Sequence, residues 1–183
     1  ALQLRGQNYY PIKTYKDLAV DPLSAITSAF AKMGPEEGAV VQILVSPTTG
    51  KWQKSGRSFI SDTKKQEADP QKAKFTVAAK TLEAVEGKIG KPGFEIAIRM
   101  VTVAKEEESA KAHLSNIKSA FEQFSGDLNG FAGRKIRRKA EFMNDFLYRY
   151  MPMFNLWKNR VSILNSEEMA TVFHFPNKQV TTP

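Results

Sequence analysis

The stretch FEIAIRMVTV, residues Phe94–Val103, decides the fold because side-chain character alternates along it. Apolar residues occupy every second position from Phe94 to Met100, and Glu95 and Arg99 lie between them. Successive side chains of a β-strand point to opposite faces, so a period of two is typical of a strand with one buried face. The sequence therefore predicts a strand here, with the other elements arranged around it.

An amphipathic helix is predicted directly after this strand. Three glutamates, Glu106–Glu108, open it, and negative side chains are favourable at the positive end of a helix dipole. Apolar residues then recur in steps of four, three, four and three, which is helical spacing, at Ala110, Leu114, Ile117, Phe121 and Phe124. Ser125-Gly126 ends this helix, and a short strand is predicted at Leu128–Ala132.

Before the central strand, the sequence predicts two extended segments, a helix and a further strand. Leu2–Arg5 is predicted as a short strand, and Tyr9–Tyr15 as another extended segment around Pro11. The helix begins at Asp21-Pro22, because Asp caps helices and Pro is tolerated at the first helical position, and ends at Gly34-Pro35. The β-rich apolar run Ala39–Ser46 then forms a strand.

An insertion is predicted between that strand and the central one, at about residues 48–91. Residues 48–65 are polar and contain Gly and several Ser or Thr, which indicates a loop, with a helical turn as the alternative near Trp52. A helix is predicted from about Pro70, with an apolar stripe from Phe75 to Ile89. Residues 9–133 then give strand, helix, strand, insertion, strand, helix, strand. This is the order of a ferredoxin-like split βαβ fold, an α+β domain with an antiparallel sheet, assigned to residues 1–135.

Residues 136–183 are predicted to form a basic, aromatic helix and a connector. The helix carries apolar and aromatic residues on one side, at Phe142, Met143, Phe146, Leu147 and Tyr150. A short strand is predicted at Arg160–Leu164. Asn165 then caps a last helical turn, with Glu168 three residues on as in a capping box.

The composition excludes several classes of function. The chain has 183 residues, a formal net charge of +8 and no cysteine, so disulfides, thiol nucleophiles and Cys-ligated metals are absent. The apolar run Ala39–Val45 is too short to cross a bilayer, and Ala1–Tyr10 has no signal-peptide pattern. Because the chain does not begin with Met, we expect an excised fragment.

No catalytic, metal or cofactor site is predicted. The chain contains no G-x-x-x-x-G-K-[ST], G-x-G-x-x-G or G-x-S-x-G motif. Its two histidines, His113 and His174, have no patterned partners, and the consecutive carboxylates Glu106–Glu108 point in different directions on a helix. We therefore expect a chain that is not itself an enzyme.

Two segments concentrate positive charge. Residues 51–91 hold ten Lys or Arg and five Asp or Glu, and residues 134–160 hold eight Lys or Arg and two Asp or Glu. Such segregation favours a surface that meets nucleic acid, acidic protein or anionic lipid, although solvated Lys-rich faces are also common. The residues predicted as contacts with a partner or nucleic acid are Arg134, Lys135, Arg137, Arg138, Lys139, Arg149 and Trp52.

Aromatic residues follow the cationic run closely, among them Tyr148, Phe154 and Trp157. Aromatics can stack on bases, but Phe142, Phe146 and Tyr150 fit a buried stripe by their spacing, and we expect them in the core. Trp52 lies in the polar segment as either a plug over the core or an interaction anchor, and the plug is favoured.

Several segments together resemble the region just upstream of the motor domain in bacterial ATPases related to type IV secretion and conjugative transfer. The matching segments occur in order over nearly the whole chain: Tyr10–Tyr15, Asp21–Thr27, Gln42–Val45, Trp52–Lys54, Lys91–Glu95 and Leu164–Pro176. None of them is a catalytic fingerprint.

The resemblance implies a non-catalytic accessory or docking domain of a membrane-associated DNA- or protein-translocating ATPase. A RecA-like motor would follow in the same polypeptide or complex, at the cytoplasmic face of the membrane. DNA, an acidic protein and further copies of the chain are the other candidate partners, and no cofactor is implied. The alternative is a free-standing, basic, nucleic-acid-binding α+β protein.

Overall fold

The computed structural model describes residues 1–68, 77–151 and 161–175. Within these ranges the chain is an α+β structure with one antiparallel sheet of five strands and six α-helices. The strands are β1 (Leu2–Leu4), β2 (Gly38–Pro47), β3 (Gly93–Val103), β4 (Phe131–Gly133) and β5 (Ser162–Asn165). The helices are α1 (Pro22–Phe30), α2 (Lys51–Ala68), α3 (Ala79–Ile89), α4 (Glu107–Ala120), α5 (Lys139–Leu147) and α6 (Ser166–Val172), with short 3-10 helices at Tyr15–Asp17 and Phe121–Phe124.

The predicted central strand is β3, which organises the sheet. The strand order is β2-β3-β1-β4, and β5 pairs with the first residues of β3 on the same side as β1. β2 pairs with β3 over its whole length, from Gly38 opposite Val103 to Pro47 opposite Phe94. Every pairing between strands is antiparallel.

The hydrophobic core lies on one face of this sheet, beneath α1, α4 and α6. The alternation in β3 is confirmed on this face, where Ile98 is 1% exposed. The stripe of α4 and the 3-10 helix after it is buried at Ile117, Phe121 and Phe124, but Leu114 is 39% exposed and lies outside the core. Leu114 was therefore wrongly placed, because α4 turns its first half toward solvent.

The first sheet strand is β1 at Leu2–Leu4, and the prediction of a strand at Tyr9–Tyr15 was wrong. The backbone amides of this segment bind partners outside the sheet. Ile12 donates to the Glu168 carboxylate at 2.9 Å, and Tyr15 donates to the Thr171 hydroxyl at 3.1 Å. Since these amides are already bound to side chains of α6, they do not join a ladder.

The polar segment at 48–65, predicted as a loop, is part of the 18-residue helix α2. Its buried positions are Trp52, Gly56 and Thr63, which recur at helical spacing. Trp52 packs with Val85 and Ile89 of α3 and forms a second hydrophobic cluster. The predicted stripe of α3 is thus confirmed at its C-terminal end, while its expected start at Pro70 and Phe75 lies outside the described residues.

A buried ion pair attaches α6 to α3. The Lys88 ammonium lies 3.0 Å from Glu168 Oε2, and the two side chains are 0% and 1% exposed. Lys88 also donates to the carbonyl oxygens of Tyr10 and Ile163, each at 3.1 Å. The predicted capping box is confirmed, since Asn165 and Glu168 accept from each other's backbone amides at 2.9 Å. Residues 162–172 are therefore part of the folded core.

Candidate docking groove

Helix α5 lies on the face of the sheet opposite the core, where two polar side chains hold its C-terminal end. Arg99 donates to the carbonyl oxygen of Asp145 at 2.8 Å and to that of Tyr150. Gln42, which pairs with Arg99 across β2 and β3, donates to the Phe146 carbonyl at 3.0 Å. Free carbonyls at a helix C-terminus carry partial negative charge, so a guanidinium is a favourable partner there.

The side chains of α5 are less buried than the sequence predicted. None of its residues is fully buried, and Phe142 and Phe146 are only half-buried against the sheet. Tyr150 is 58% exposed, so its predicted place in a buried stripe was wrong. The reason is that Arg99 binds the Tyr150 backbone rather than its ring, and the ring stacks on Tyr148 at 5.7 Å instead.

A groove of about 670 Å³ lies between α5, the strands β1 and β3, and the segment that leads into α5. Its lining includes Arg99, Glu141, Phe142 and Asp145 on one side and the cationic run on the other. Four predicted contact residues line it together: Arg134, Lys135, Arg137 and Arg138. The fold thus brings most of the predicted contact set into one concave surface, which we call the docking groove.

Positive charge in the docking groove is only partly neutralised. Arg138 contacts Glu141 at 3.2 Å, and Arg99 lies 3.9 Å from Asp145. Among the described residues, three exposed cations of the groove have no ion-pair partner: Arg134, Lys135 and Arg137. Their guanidinium and ammonium groups are available to a ligand that carries carboxylates or phosphates.

Two pKa shifts report the electrostatics of the groove. Burial lowers the pKa of the Arg99 guanidinium, and the nearby Asp145 carboxylate opposes this shift. The pKa of the Ala1 amino group is also lowered, first by burial and then by the positive charges of Arg134 and Arg99. A positive potential inside the groove disfavours further cations and favours anions.

The remaining predicted contact residues lie elsewhere. Lys139 is exposed at the first position of α5, and Arg149 is exposed after its end with a positive φ of 56°. Trp52 is 5% exposed and packs against Gly93, where an added Cβ would lie 2.6 Å from its ring. Trp52 is therefore the plug over the core that the sequence favoured, and this burial corrects the prediction that its ring contacts a partner.

Sequence analysis did not single out Arg99 as a functional residue. It was assigned to the polar face of β3, yet it is 3% exposed and forms the anchor of α5. The sequence feature that could have indicated its role is its position at the centre of an apolar strand. A cation there needs hydrogen-bonding partners once another element packs over it. Nothing in the local sequence indicated that α5, 40 residues later, supplies them.

The histidines are paired with single carboxylates. His113 Nε2 lies 2.8 Å from Glu37, and His174 Nε2 lies 3.0 Å from Asp21. In the part of the chain that the structure describes, no three His, Asp or Glu side chains are placed to hold a metal ion. In the same part, no helix has the length and apolar character that a bilayer crossing requires.

A family model matches the chain over its whole length. The model of a domain of unknown function, DUF8128, matches residues 1–183. The chain belongs to the DUF8128 family. No curated protein and no solved structure matches this DUF8128 domain. The function of the domain therefore has to be argued from its own geometry.

Proposed function

We propose that the chain is a non-catalytic docking module of a DNA- or protein-translocating ATPase of the type IV secretion and conjugation kind. In this proposal the motor domain lies in the same polypeptide or complex, at the inner face of a membrane. The observation that carries it is the docking groove, in which Arg134, Lys135 and Arg137 have no ion-pair partner among the residues that the structure describes. Such a surface attracts and orients an anionic partner by electrostatic complementarity.

The segments that carry the family resemblance, apart from Gln42–Val45, support a positioning role, because they meet around α6. Tyr10 accepts from Lys88, and Ile12 donates to Glu168. At the other end of α6, Asp21 contacts His174 at 3.0 Å. Lys91 pairs with Glu167, and Gln53 donates to the Lys91 carbonyl at 3.3 Å. A body attached to this junction would be held in a fixed orientation.

The fold class is proposed in its finer form as a ferredoxin-like split βαβ domain. The strand order β2-β3-β1-β4 with antiparallel neighbours supports this assignment, as does the pair of helices α1 and α4 over one face. α2 and α3 would then be the insertion. This fold hosts many functions, so it adds nothing to the argument about partners.

The gene sequence beyond codon 183 is the first test. We expect a RecA-like motor with a phosphate-binding loop, either downstream in the same reading frame or in a separate subunit. In the second case, the tagged chain purified from its native host should carry an ATPase that mass spectrometry identifies by this loop. If no such motor is encoded downstream and none co-purifies, the proposal is wrong.

The docking groove is tested by charge reversal. Arg134→Glu combined with Arg137→Glu should reduce the recovery of the motor, or its ATP turnover when both are in one polypeptide, with little change in melting temperature. Lys64→Glu combined with Lys65→Glu is the matched control, since both lysines are exposed on α2 and neither lines the groove. Equal effects of the two double variants would show that net charge alone matters.

A free-standing nucleic-acid-binding protein is the second candidate. It is favoured by the exposed, stacked rings of Tyr148 and Tyr150 beside Arg149, since aromatics and cations together bind single strands. Fluorescence anisotropy with a single-stranded oligonucleotide over a range of salt concentrations tests it. Binding should weaken by about 0.7 in log K per phosphate contact for each tenfold rise in salt. No binding at low salt excludes this candidate and leaves the docking module.

A further inference from the structure

Strand β2 is a long edge of the sheet with one side unpaired. All ten of its residues, from Gly38 to Pro47, pair with β3. No strand among the described residues pairs with its other side. In an antiparallel ladder every second residue directs its amide and carbonyl away from the neighbouring strand. In this part of the chain, those groups of β2 form a row of free donors and acceptors.

This edge lacks the features by which edge strands are usually protected. Proteins protect edges with charged residues, proline, bulges or short length. β2 contains no charged residue, and its only proline is the last residue, Pro47. Val40 and Val45 are 49% and 46% exposed. The opposite edge differs, because β4 has three residues and runs directly into the cationic segment that starts at Arg134.

A second copy of the chain can pair with this edge without bringing like charges together. The chain carries a net charge of +8, so two copies repel each other across most of their surface. β2 is ten uncharged residues long, and self-pairing there places no like charges opposite each other. Pairing around a two-fold axis also stops at two copies. The protected β4 edges then lie at the outer ends of the joined sheet, where no further copy can add a strand.

We propose that β2 pairs antiparallel with β2 of a second copy, so that two sheets join into one continuous sheet. This inference goes beyond the docking function and does not depend on it. A shift of one residue would turn every side chain to the wrong face, so only residues on the same face can lie opposite each other. The two registers nearest the strand centre place Gln42 opposite Gln42 or Ile43 opposite Ile43.

Sedimentation and light scattering of the full chain over a range of concentrations test this pairing. The wild-type chain should reach twice its mass of 20.5 kDa at high concentration. Val40→Lys combined with Val45→Lys puts a charged side chain on each face of the β2 edge, which is how edge strands are protected from pairing, and should raise the dimer dissociation constant about tenfold or more. Val20→Lys combined with Val103→Lys is the matched control, since these valines are 68% and 63% exposed and lie off the β2 edge.

Hydrogen exchange gives a readout that needs no variant. Exchange of alternate amides in β2 should slow as the wild-type concentration rises, while the exposed amides of α5 should be unaffected. A chain that stays monomeric at every concentration, or a dimer that both double variants leave intact, would overturn the proposal. Capture of an unrelated extended peptide by a monomeric chain would likewise overturn it.

Discussion

Replacing Lys88 with Met should be among the most destabilising single changes in this chain. The Lys88 ammonium contacts Glu168 at 3.0 Å and two backbone carbonyls at 3.1 Å, with no exposed side-chain surface. Its loss leaves the Glu168 carboxylate buried with only the amides of Ile12 and Asn165. Breaking a buried pair in this way costs about 3–5 kcal/mol of unfolding free energy.

Urea denaturation followed by tryptophan fluorescence measures this loss, since Trp52 lies in the cluster that α3 completes. Lys80→Met is the matched control on the same helix, where the lysine is exposed, and should change the unfolding free energy by less than about 0.5 kcal/mol. Glu168→Gln provides the second arm of a double-mutant cycle. The double variant should cost less than the sum of the single ones by about 1–3 kcal/mol.

The pH dependence supplies an independent check. Burial lowers the pKa of Lys88 below its ordinary value of 10.5, and Glu168 opposes this shift. At pH values between the pKa of Lys88 in the folded chain and 10.5, the unfolded chain binds more protons than the folded chain. The contribution of Lys88 to the free energy of unfolding therefore rises with pH across that window. The difference between wild type and Lys88→Met should therefore grow as pH approaches 10.5. A loss below about 1 kcal/mol at neutral pH, or a difference that does not change with pH, would refute this reasoning.

Three further changes test the rest of the structure. Arg99→Ala should cost about 1–3 kcal/mol and speed amide exchange in α5, because the carbonyls of Asp145 and Tyr150 lose the guanidinium that holds the end of the helix to the sheet. Unchanged exchange would contradict the anchor. Gly93→Ala should cost about 1–3 kcal/mol by calorimetry, because its Cβ would lie 2.6 Å from the Trp52 ring. Glu37→Gln should flatten the fall in melting temperature at acid pH. The Gly34 amide holds the pKa of Glu37 below 4.5, so the stabilisation is present above 4.5 and is lost as pH falls through the folded pKa.

Much of the secondary structure followed from local patterns. The alternation in β3, the helical spacing from Ile117 to Phe124 and the capping box at Asn165 each depend on residues a few positions apart. The helix α2 was missed because its apolar side is narrow: Trp52 and Thr63 are buried, with Gly56 between them where close packing leaves no room for a Cβ. A narrow stripe with Gly and Ser around it is similar to a loop in composition.

The docking groove was predictable only as a list of cations. The run Arg134–Lys139 was evident from its charge, but its counter-surface consists of Ala97 and Arg99 from β3 and the first residues of the chain. Arg99 shows why the shape of the groove could not be predicted. Its partners are backbone carbonyls in α5 and just after it, and no sequence pattern encodes which backbone group lies over a given side chain.

By itself the sequence determined the strand β3, the helices with clear periodicity, the positive charge and the absence of cysteine. These properties depend on composition or on neighbours within about two helical turns. Only the tertiary structure decided that Lys88 meets Glu168, that Arg99 holds α5, and that β2 is an edge strand within the described residues. Each of these depends on which distant segments pack together, and that is set by the burial of the whole chain rather than by any local preference.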